Sequence, residues 1–292
     1  MPKMSLKAVL SRDEIVVAPG VYDGLSALVA DRMNFAALYL SGYGVSASWL
    51  AQPDAGFLGY ADMEARVRSI CAVTQTPLIA DADTGFGGLA NVAHTVLGYE
   101  CAGAAGIQLE DQEFPKRCGH TKNRRVVDQK DAVAKIKLAC ETRNSTEFLI
   151  VARTDARASL GLDAALRRAD AFLSVGADIL FVESPESEEE LAAIGARFKG
   201  APMLANMVAG GRTPLMSAAD LQGLGYSIAI FPVLGLAAAA SALETAYTQL
   251  QVSGDARSAS MPQIDFDALN TLVGFERVWE LDERFAASKT DD

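Results

Sequence analysis

Five consecutive residues, Lys116-Arg117-Cys118-Gly119-His120, carry much of the chemistry legible in this chain. A thiol flanked by Lys116, Arg117 and His120 sits in a positive field, which lowers a cysteine pKa and suits it to proton exchange or nucleophilic attack. Gly119 gives such a loop the freedom to move as a lid. A second group is acidic. Asp81 and Asp83 stand two apart at the end of an apolar run, so on an extended strand their side chains point the same way. Glu110 closes the next run. Converging carboxylates repel unless a cation or a shared proton offsets them. Three at successive run ends suit Mg²⁺, or Mn²⁺ on the same oxygen ligands, completed by water or substrate oxygens. Arg153 ends a further run, where a buried guanidinium needs an anion: a substrate carboxylate or one of the acids. The plainer alternatives are a surface cysteine in a basic loop, solvated acids and a structural ion pair. Asp83-Thr84-Gly85 also matches the aspartic-protease tripeptide, but that chemistry needs a second copy in an all-β fold, and neither is present.

These residues need elements to hold them. Short apolar runs alternate with amphipathic stretches along the chain. The runs are Ile15–Ala18, Ala37–Ser41, Pro77–Asp83, Gly106–Asp111, Phe148–Asp155, Asp178–Ser184, Pro202–Val208 and Ser227–Val233. They read as strands of a parallel sheet buried on both sides. Helical patterns lie between them, several opened by caps such as Asp128, Ser187 and Ser217. Eight βα repeats predict an α/β chain folded as a (β/α)₈ TIM-type barrel over residues 1–253. A doubly wound open sheet is the other arrangement, weakened because no Gly-x-Gly-x-x-Gly follows the first strand. In the barrel, chemistry belongs where strands end: Ser41-Gly42-Tyr43, Asp81 and Asp83, Glu110, Arg153, Glu183, Asn206 and Pro232. Residues 254–292 form an extension with one amphipathic helix over Asp265–Phe285, whose apolar stripe needs a partner surface.

Composition narrows the function classes. The chain has 292 residues, half of them hydrophobic, which suits a large core rather than a disordered chain. With 26 Lys and Arg against 37 Asp and Glu, its formal charge of −11 argues against nucleic acid or an anionic membrane as partner. No apolar run approaches a membrane span and Met1–Glu14 lacks a signal-peptide core. The four cysteines follow no disulfide or zinc spacing, which points to a reducing, cytoplasmic compartment. Cys71, Cys101 and Cys140 fit helix packing, and His94 on a helix reads as structural.

The Lys-Arg-Cys-Gly-His loop resembles the signature of the isocitrate lyase/phosphoenolpyruvate mutase superfamily. In the family's order stand Pro19-Gly20-Val21-Tyr22-Asp23, Ser41-Gly42-Tyr43, Pro53-Asp54, Asp81-Ala82-Asp83-Thr84-Gly85, Leu109-Glu110-Asp111-Gln112, Arg153-Thr154-Asp155, Ala205-Asn206-Met207 and Thr213-Pro214-Leu215. The resemblance implies a barrel whose C-terminal helix is exchanged between subunits, in a homotetramer built as a dimer of helix-swapped dimers. It implies Mg²⁺ held by Asp54, Asp81, Asp83 and Glu110, some through water. It places a substrate 2-oxo or 2-hydroxy carboxylate at Ser41, Gly42 and Arg153, and matches Glu183, Asn206 and Thr213 to further active-site positions. Lys116, Arg117 and His120 belong to the catalytic loop, with Cys118 as general acid and Tyr43 as a candidate base.

Cys118 places the chain in the lyase branch, since phosphonomutases and phosphonopyruvate hydrolases lack the Cys-Gly-His loop. Ser41-Gly42-Tyr43 resembles the 2,3-dimethylmalate lyase and petal-death-protein group, whereas methylisocitrate lyases read Ser-Gly-Gly. The expectation is a Mg²⁺-dependent carbon–carbon lyase that splits a 2-alkylmalate into a 2-oxo acid and a carboxylic acid. 2-Methylisocitrate lyase is the alternative, followed by oxaloacetate decarboxylase or hydrolase, with a non-catalytic dicarboxylate-binding barrel as a different class. Pro232 stands where oxaloacetate hydrolases carry a serine and cannot donate to a gem-diol.

Overall fold

The computed structural model describes residues 5–258 and 262–287. Eight parallel strands follow in chain order: β1 (Val16–Val21), β2 (Leu38–Leu40), β3 (Leu78–Asp81), β4 (Gly106–Glu110), β5 (Leu149–Thr154), β6 (Ile179–Val182), β7 (Leu204–Asn206) and β8 (Ile228–Phe231). Each pairs with its sequence neighbours except β6 with β7, and β8 pairs back on β1. Between β6 and β7 a single parallel bridge, Leu180 to Met203, brings the ring to near closure. This is the (β/α)₈ TIM-type barrel expected from the alternating pattern. Every predicted run contains or overlaps a strand, although β1 continues through Pro19-Gly20 to Val21.

The helices are α1 (Leu6–Leu10), α2 (Gly24–Arg32), α3 (Gly42–Val45), α4 (Tyr60–Val73), α5 (Leu89–Ala102), α6 (Gln129–Thr142), α7 (Ala156–Leu160), α8 (Leu162–Ser174), α9 (Glu188–Arg197), α10 (Ala218–Gly223), α11 (Leu234–Ser253), α12 (Phe266–Leu272) and α13 (Phe275–Ala287). A single π-helical segment, Ser46–Leu50, follows α3. Asp128, Ser187 and Ser217 each cap a helix through a side-chain oxygen, as their positions predict.

Two separate apolar layers result from the period of two along each strand. One set of side chains faces the helices, including Leu38, Leu40, Ile107, Ile150 and Leu180. The alternate set fills the barrel interior, with Val16, Tyr39, Ile79, Val151, Ile179, Phe181 and Ile228 among it. Continuing the inward set toward the strand ends reaches Ser41, Asp81, Glu110, Arg153, Glu183 and Asn206. The floor of the site is therefore the polar cap of an apolar interior.

Two local expectations differ from the structure. The polar N-terminal stretch contains α1, whose Leu6 and Val9 are buried in the interior cluster. The helix expected over Asp265–Phe285 is two helices, because Gly274 takes a left-handed φ of 85° between α12 and α13. The chain forms two compact units, Met1–Leu236 and Ala237–Asp292. Among the described residues no helix is long and apolar enough to cross a membrane.

Leu6 is fully buried in a layer that tolerates little collapse. Leu6→Ala is expected to lower unfolding free energy by about 2–5 kcal/mol, read as a lower denaturation midpoint at unchanged slope.

Candidate active site

The strand ends and the loops that follow them enclose a cavity of about 300 Å³. Ser41, Tyr43, Asp54, Asp81, Cys118, His120, Arg153, Asn206 and Pro232 line it, as do Tyr39 and the segment Val208–Gly211, which sequence reasoning did not single out. Gly42, Asp83, Glu110, Lys116, Glu183 and Thr213 lie outside this lining; each of these six is buried, and several hold lining residues in place. Arg117 is exposed, and its backbone N–H and carbonyl are both tied to the Gln112 side chain. The loop thus fixes the chain at Arg117 and leaves its guanidinium in solvent.

Ser41 ends β2 and caps α3, its Oγ accepting from the Gly44 N–H at 3.1 Å. Gly42 N–H donates to Asp81 Oδ2 at 3.3 Å. A Cβ on residue 42 would lie 2.7 Å from that oxygen, so only glycine allows the approach. Asp83 is not on an extended strand. β3 ends at Asp81, and Asp83 sits at φ 49° with its N–H donating to Asp81 Oδ1 at 3.1 Å. The two carboxylates still converge beside Gly42, but through a left-handed turn rather than strand alternation.

The Lys116 ammonium bridges Asp54 Oδ1 at 2.5 Å and Asp83 Oδ1 at 2.6 Å. Burial raises the Asp83 pKa to about 7 against the pull of Lys116, with Asp81 and Asp54 adding to the rise. Glu110 is also pushed well above the usual carboxylate range by burial, opposed by Arg153. Its Oε2 pairs with Arg153 Nη1 at 3.2 Å, while Oε1 makes no hydrogen bond. An acidic excess with an orphaned buried oxygen is the environment a hard cation relieves, and the all-oxygen donor set suits Mg²⁺ or Mn²⁺. Among the described residues no three His, Cys, Asp or Glu side chains are arranged to hold a metal by themselves. The fit is to an ion that keeps water or substrate oxygens among its ligands.

Arg153 pairs with acids, one of the two partners foreseen for it, and also reaches the cavity. Its Nε and Nη2 each donate to Asp155 at 2.9 Å, and Nη2 stands 3.6 Å from Glu183 Oε2, yet the side chain lines the cavity. Asp155 in turn pairs with Arg124 at 2.5 Å and takes the Asp111 carboxylate on its N–H. Burial and paired charges thus hold Arg153 in one orientation. Arg124 and the part played by Asp155, which sits just past the end of β5 at the N-cap of α7, are positioning features that the sequence reading did not assign.

The catalytic-loop cysteine departs from the expected thiolate. Burial pushes the Cys118 thiol up to about 11, assisted by Asp54 and Glu183 and opposed by a backbone hydrogen bond at His120 and by Arg153. Lys116 spends its charge on two carboxylates, Arg117 faces water, and His120 is pushed below its ordinary pKa by burial. Desolvation therefore outweighs the flanking cations and favours the protonated thiol. Gly119 also serves close packing: a Cβ there would lie 2.5 Å from Arg153 Nη2 and 2.6 Å from Glu183 Cδ. His120 Nδ1 accepts from the Arg212 N–H at 3.0 Å. Its Nε2 lies 3.4 Å from Glu183 Oε1 and 3.1 Å from Asn206 Nδ2. Asn206 donates to Glu183 Oε2 at 3.2 Å and leaves its Oδ1 without a hydrogen bond. Thr213 Oγ1 is likewise buried and unbonded.

A family model described as phosphoenolpyruvate phosphomutase matches residues 6–251. The chain belongs to the phosphoenolpyruvate mutase/isocitrate lyase superfamily. It is 45% identical to 2,3-dimethylmalate lyase of Eubacterium barkeri over 97% of this chain and 98% of that protein. It is 43% identical to 2-methylisocitrate lyase of Aeropyrum pernix over 87% and 81% respectively. Among solved structures, oxaloacetate acetylhydrolase with 3,3-difluorooxalacetate superposes with a TM-score of 0.91 at 36% identity, covering 97% of this chain and 96% of that one. Phosphonopyruvate hydrolase in complex with oxalate and Mg²⁺ superposes at 0.87 with 29% identity, covering 97% and 98%. In this superfamily chain, the Lys116–His120 loop that sequence reading selected stands against the strand-end acids in space.

With a pKa near 11, only roughly one Cys118 in a thousand is thiolate at pH 8. Cys118 is expected to alkylate much more slowly than the exposed Cys101 at that pH and to accelerate as pH rises toward 11. Peptide mass spectrometry after timed iodoacetamide treatment measures both rates.

Proposed function

We propose that this protein is a Mg²⁺-dependent carbon–carbon lyase that cleaves a 2-hydroxy dicarboxylate of the 2-alkylmalate type, such as 2,3-dimethylmalate, to a 2-oxo acid and a carboxylic acid. The observation that carries the reading is the Cys118 thiol on the wall of the cavity that Arg153, Asp54 and Asp81 also line, in a desolvated place that favours its protonated form. The similarity to 2,3-dimethylmalate lyase supports the substrate class, and the Mg²⁺ of the phosphonopyruvate hydrolase complex supports the ion.

Asp54, Asp81, Asp83 and Glu110 would hold the cation, in part through water. When bound, it supplies positive charge for the substrate's 2-hydroxyl and adjoining carboxylate oxygens. Arg153 and the α3 N-terminus at Ser41-Gly42 orient that carboxylate. As the hydroxyl proton leaves to a base, the C2–C3 electron pair moves to C3 and C2 becomes a ketone. The Cys118 S–H then delivers its proton to C3, forming a new C–H bond next to the carboxylate of the departing acid. The unbonded Oδ1 of Asn206 is free to accept from a substrate donor. Enclosure by the loop limits access of water to the carbanion.

Charge decides against a tricarboxylate. Arg153 is the lining residue with a fixed positive charge, and it already faces three acids. Val208, Ala209, Ile230, Pro232 and Val233 make an apolar side that takes an alkyl group. A third carboxylate there would be buried unpaired, at a cost of several kcal/mol. Pro232, pressed against Gly20, has no N–H for a hydrated ketone, which argues against oxaloacetate hydrolysis.

The reading includes a homotetramer of helix-swapped dimers in the cytoplasm. It is supported by the exposed apolar side chains Phe266, Val278 and Leu281 on α12 and α13, and by four cysteines outside any disulfide. A chain truncated after Gly254 is expected to lose assembly in light scattering; an unchanged tetramer would refute helix exchange.

Product analysis by mass spectrometry across 2,3-dimethylmalate, 2-ethylmalate, 2-methylisocitrate and oxaloacetate, with Mg²⁺, tests the activity. Pyruvate or another 2-oxo acid is expected from an alkylmalate, with kcat lowered about 10²–10⁴-fold in Cys118→Ala. Turnover of 2-methylisocitrate at the higher kcat/KM would reassign the substrate. Oxalate or carbon dioxide from oxaloacetate alone, undiminished in Cys118→Ala, would move the assignment to hydrolase or decarboxylase.

A further inference from the structure

Beneath the acids lies a polar pair inside an otherwise apolar barrel interior. Tyr39 on β2 and Gln108 on β4 are both buried, and neither carries a part in the chemistry above. Tyr39 O–H donates to Gln108 Oε1 at 2.6 Å. Gln108 Nε2 donates to Asp81 Oδ1 at 3.2 Å. The strand register makes this unavoidable, since Gln108 and Asp81 are direct partners across β3 and β4. The layer around Tyr39 is filled by residues such as Ile79, Val151, Phe181 and Ile230. A buried amide in such a layer is costly unless both ends are bonded.

An amide has a donor end and an acceptor end, and only one orientation suits Asp81. A carboxylate accepts, so Nε2 must face it and Oε1 must face away. Oε1 then needs a donor, and the Tyr39 hydroxyl is that donor. Remove the hydroxyl and Oε1 is left buried without a donor, so the amide loses the contact that holds Nε2 aligned on Asp81. Asp81 itself is held on three sides, by Gln108 Nε2, the Asp83 N–H and the Gly42 N–H. The Asp83 and Gly42 donors are backbone groups fixed by turns. Gln108 is the one donor whose direction depends on a side chain.

We propose that Tyr39 and Gln108 form a positioning relay that orients the Asp81 carboxylate toward the divalent cation. The inference rests on the assignment of Asp81 as a metal-holding residue. Tyr39 acts through Gln108 and Gln108 through Asp81, as hydrogen-bonded outer partners tune ligands at metal sites.

The test is a Mn²⁺ titration of the full-length protein, reading free Mn²⁺ by its electron paramagnetic resonance signal, with thermal melts in parallel. Tyr39→Phe, which removes one oxygen atom, is expected to weaken Mn²⁺ binding about tenfold. Gln108→Met is expected to weaken it by at least as much. Tyr39→Phe added to Gln108→Met is expected to change Mn²⁺ affinity by less than about twofold, because the hydroxyl has no amide left to orient. That double variant leaves neither polar group buried alone, so it keeps the measurement accessible if a single variant folds poorly. Activity of Tyr39→Phe is expected to fall more at limiting than at saturating Mn²⁺. Wild-type protein that binds Mn²⁺ while Tyr39→Phe stays within about twofold of it overturns the relay alone. Additive losses in the double variant overturn action through Gln108. Wild-type protein that binds no Mn²⁺ removes the metal assignment, and the relay with it.

Discussion

An excess of buried negative charge governs the mouth of this barrel. Asp54, Asp81, Asp83 and Glu110 crowd one end of an apolar interior, and Lys116 stands between two of them. Around Arg153 the signs alternate outward: Glu110, Asp155 and Glu183 against the guanidinium, then Arg124 on Asp155, with Asp111 and Arg168 beyond. Charges withdrawn from water repay that cost only when their partners are well placed, and losing one partner strands the other. The network is therefore a poor source of net stability and a strong source of geometry. It also leaves the acids under-neutralised, which is the condition for accepting a cation and an anionic substrate together.

The same desolvation sets the character of Cys118. Sequence neighbours place cations beside it, but the fold spends those cations elsewhere. Lys116 turns to the acids and Arg117 to solvent, and the Cys118 N–H is tied to the Asp54 carbonyl at 3.0 Å. The thiol is left poised to give a proton. Gly119 lets the loop lie directly on Arg153 and Glu183. Cys118 and Arg153 are thus brought to one cavity by a loop that packs closely on the strand ends.

Precision of this kind depends on the layers beneath. The interior is filled from below by Leu6 and Val9 of α1 and from the strands by branched and aromatic side chains. The outer layer fixes the strands against the helices. Rigid support of this sort is what keeps site groups within productive distance. Val208, Ala209, Ile230, Pro232 and Val233 add an apolar part to the same cavity wall that carries Arg153, Asp54 and Asp81.

Much of the fold was legible in the sequence. Hydrophobic periodicity is a local property, and eight alternating runs were enough to specify a barrel and the strand ends that bear its polar residues. The types at those ends, Asp81, Glu110, Arg153, Glu183 and Asn206, announced an oxygen-rich, anion-handling site. What the sequence could not state is how charge is shared among residues distant in the chain. The pairing of Lys116 with Asp54 and Asp83, the left-handed turn at Asp83, the orientation of Gln108 by Tyr39 and the raised thiol pKa of Cys118 all follow from long-range contact and exclusion of water. The break at Gly274 and the burial of α1 in a polar-looking N-terminal stretch belong there too. The sequence by itself determined which groups stand at the barrel mouth. Only the tertiary structure decided their protonation and partners, because a group's electrostatic energy depends on what surrounds it in space rather than on what precedes it in the chain.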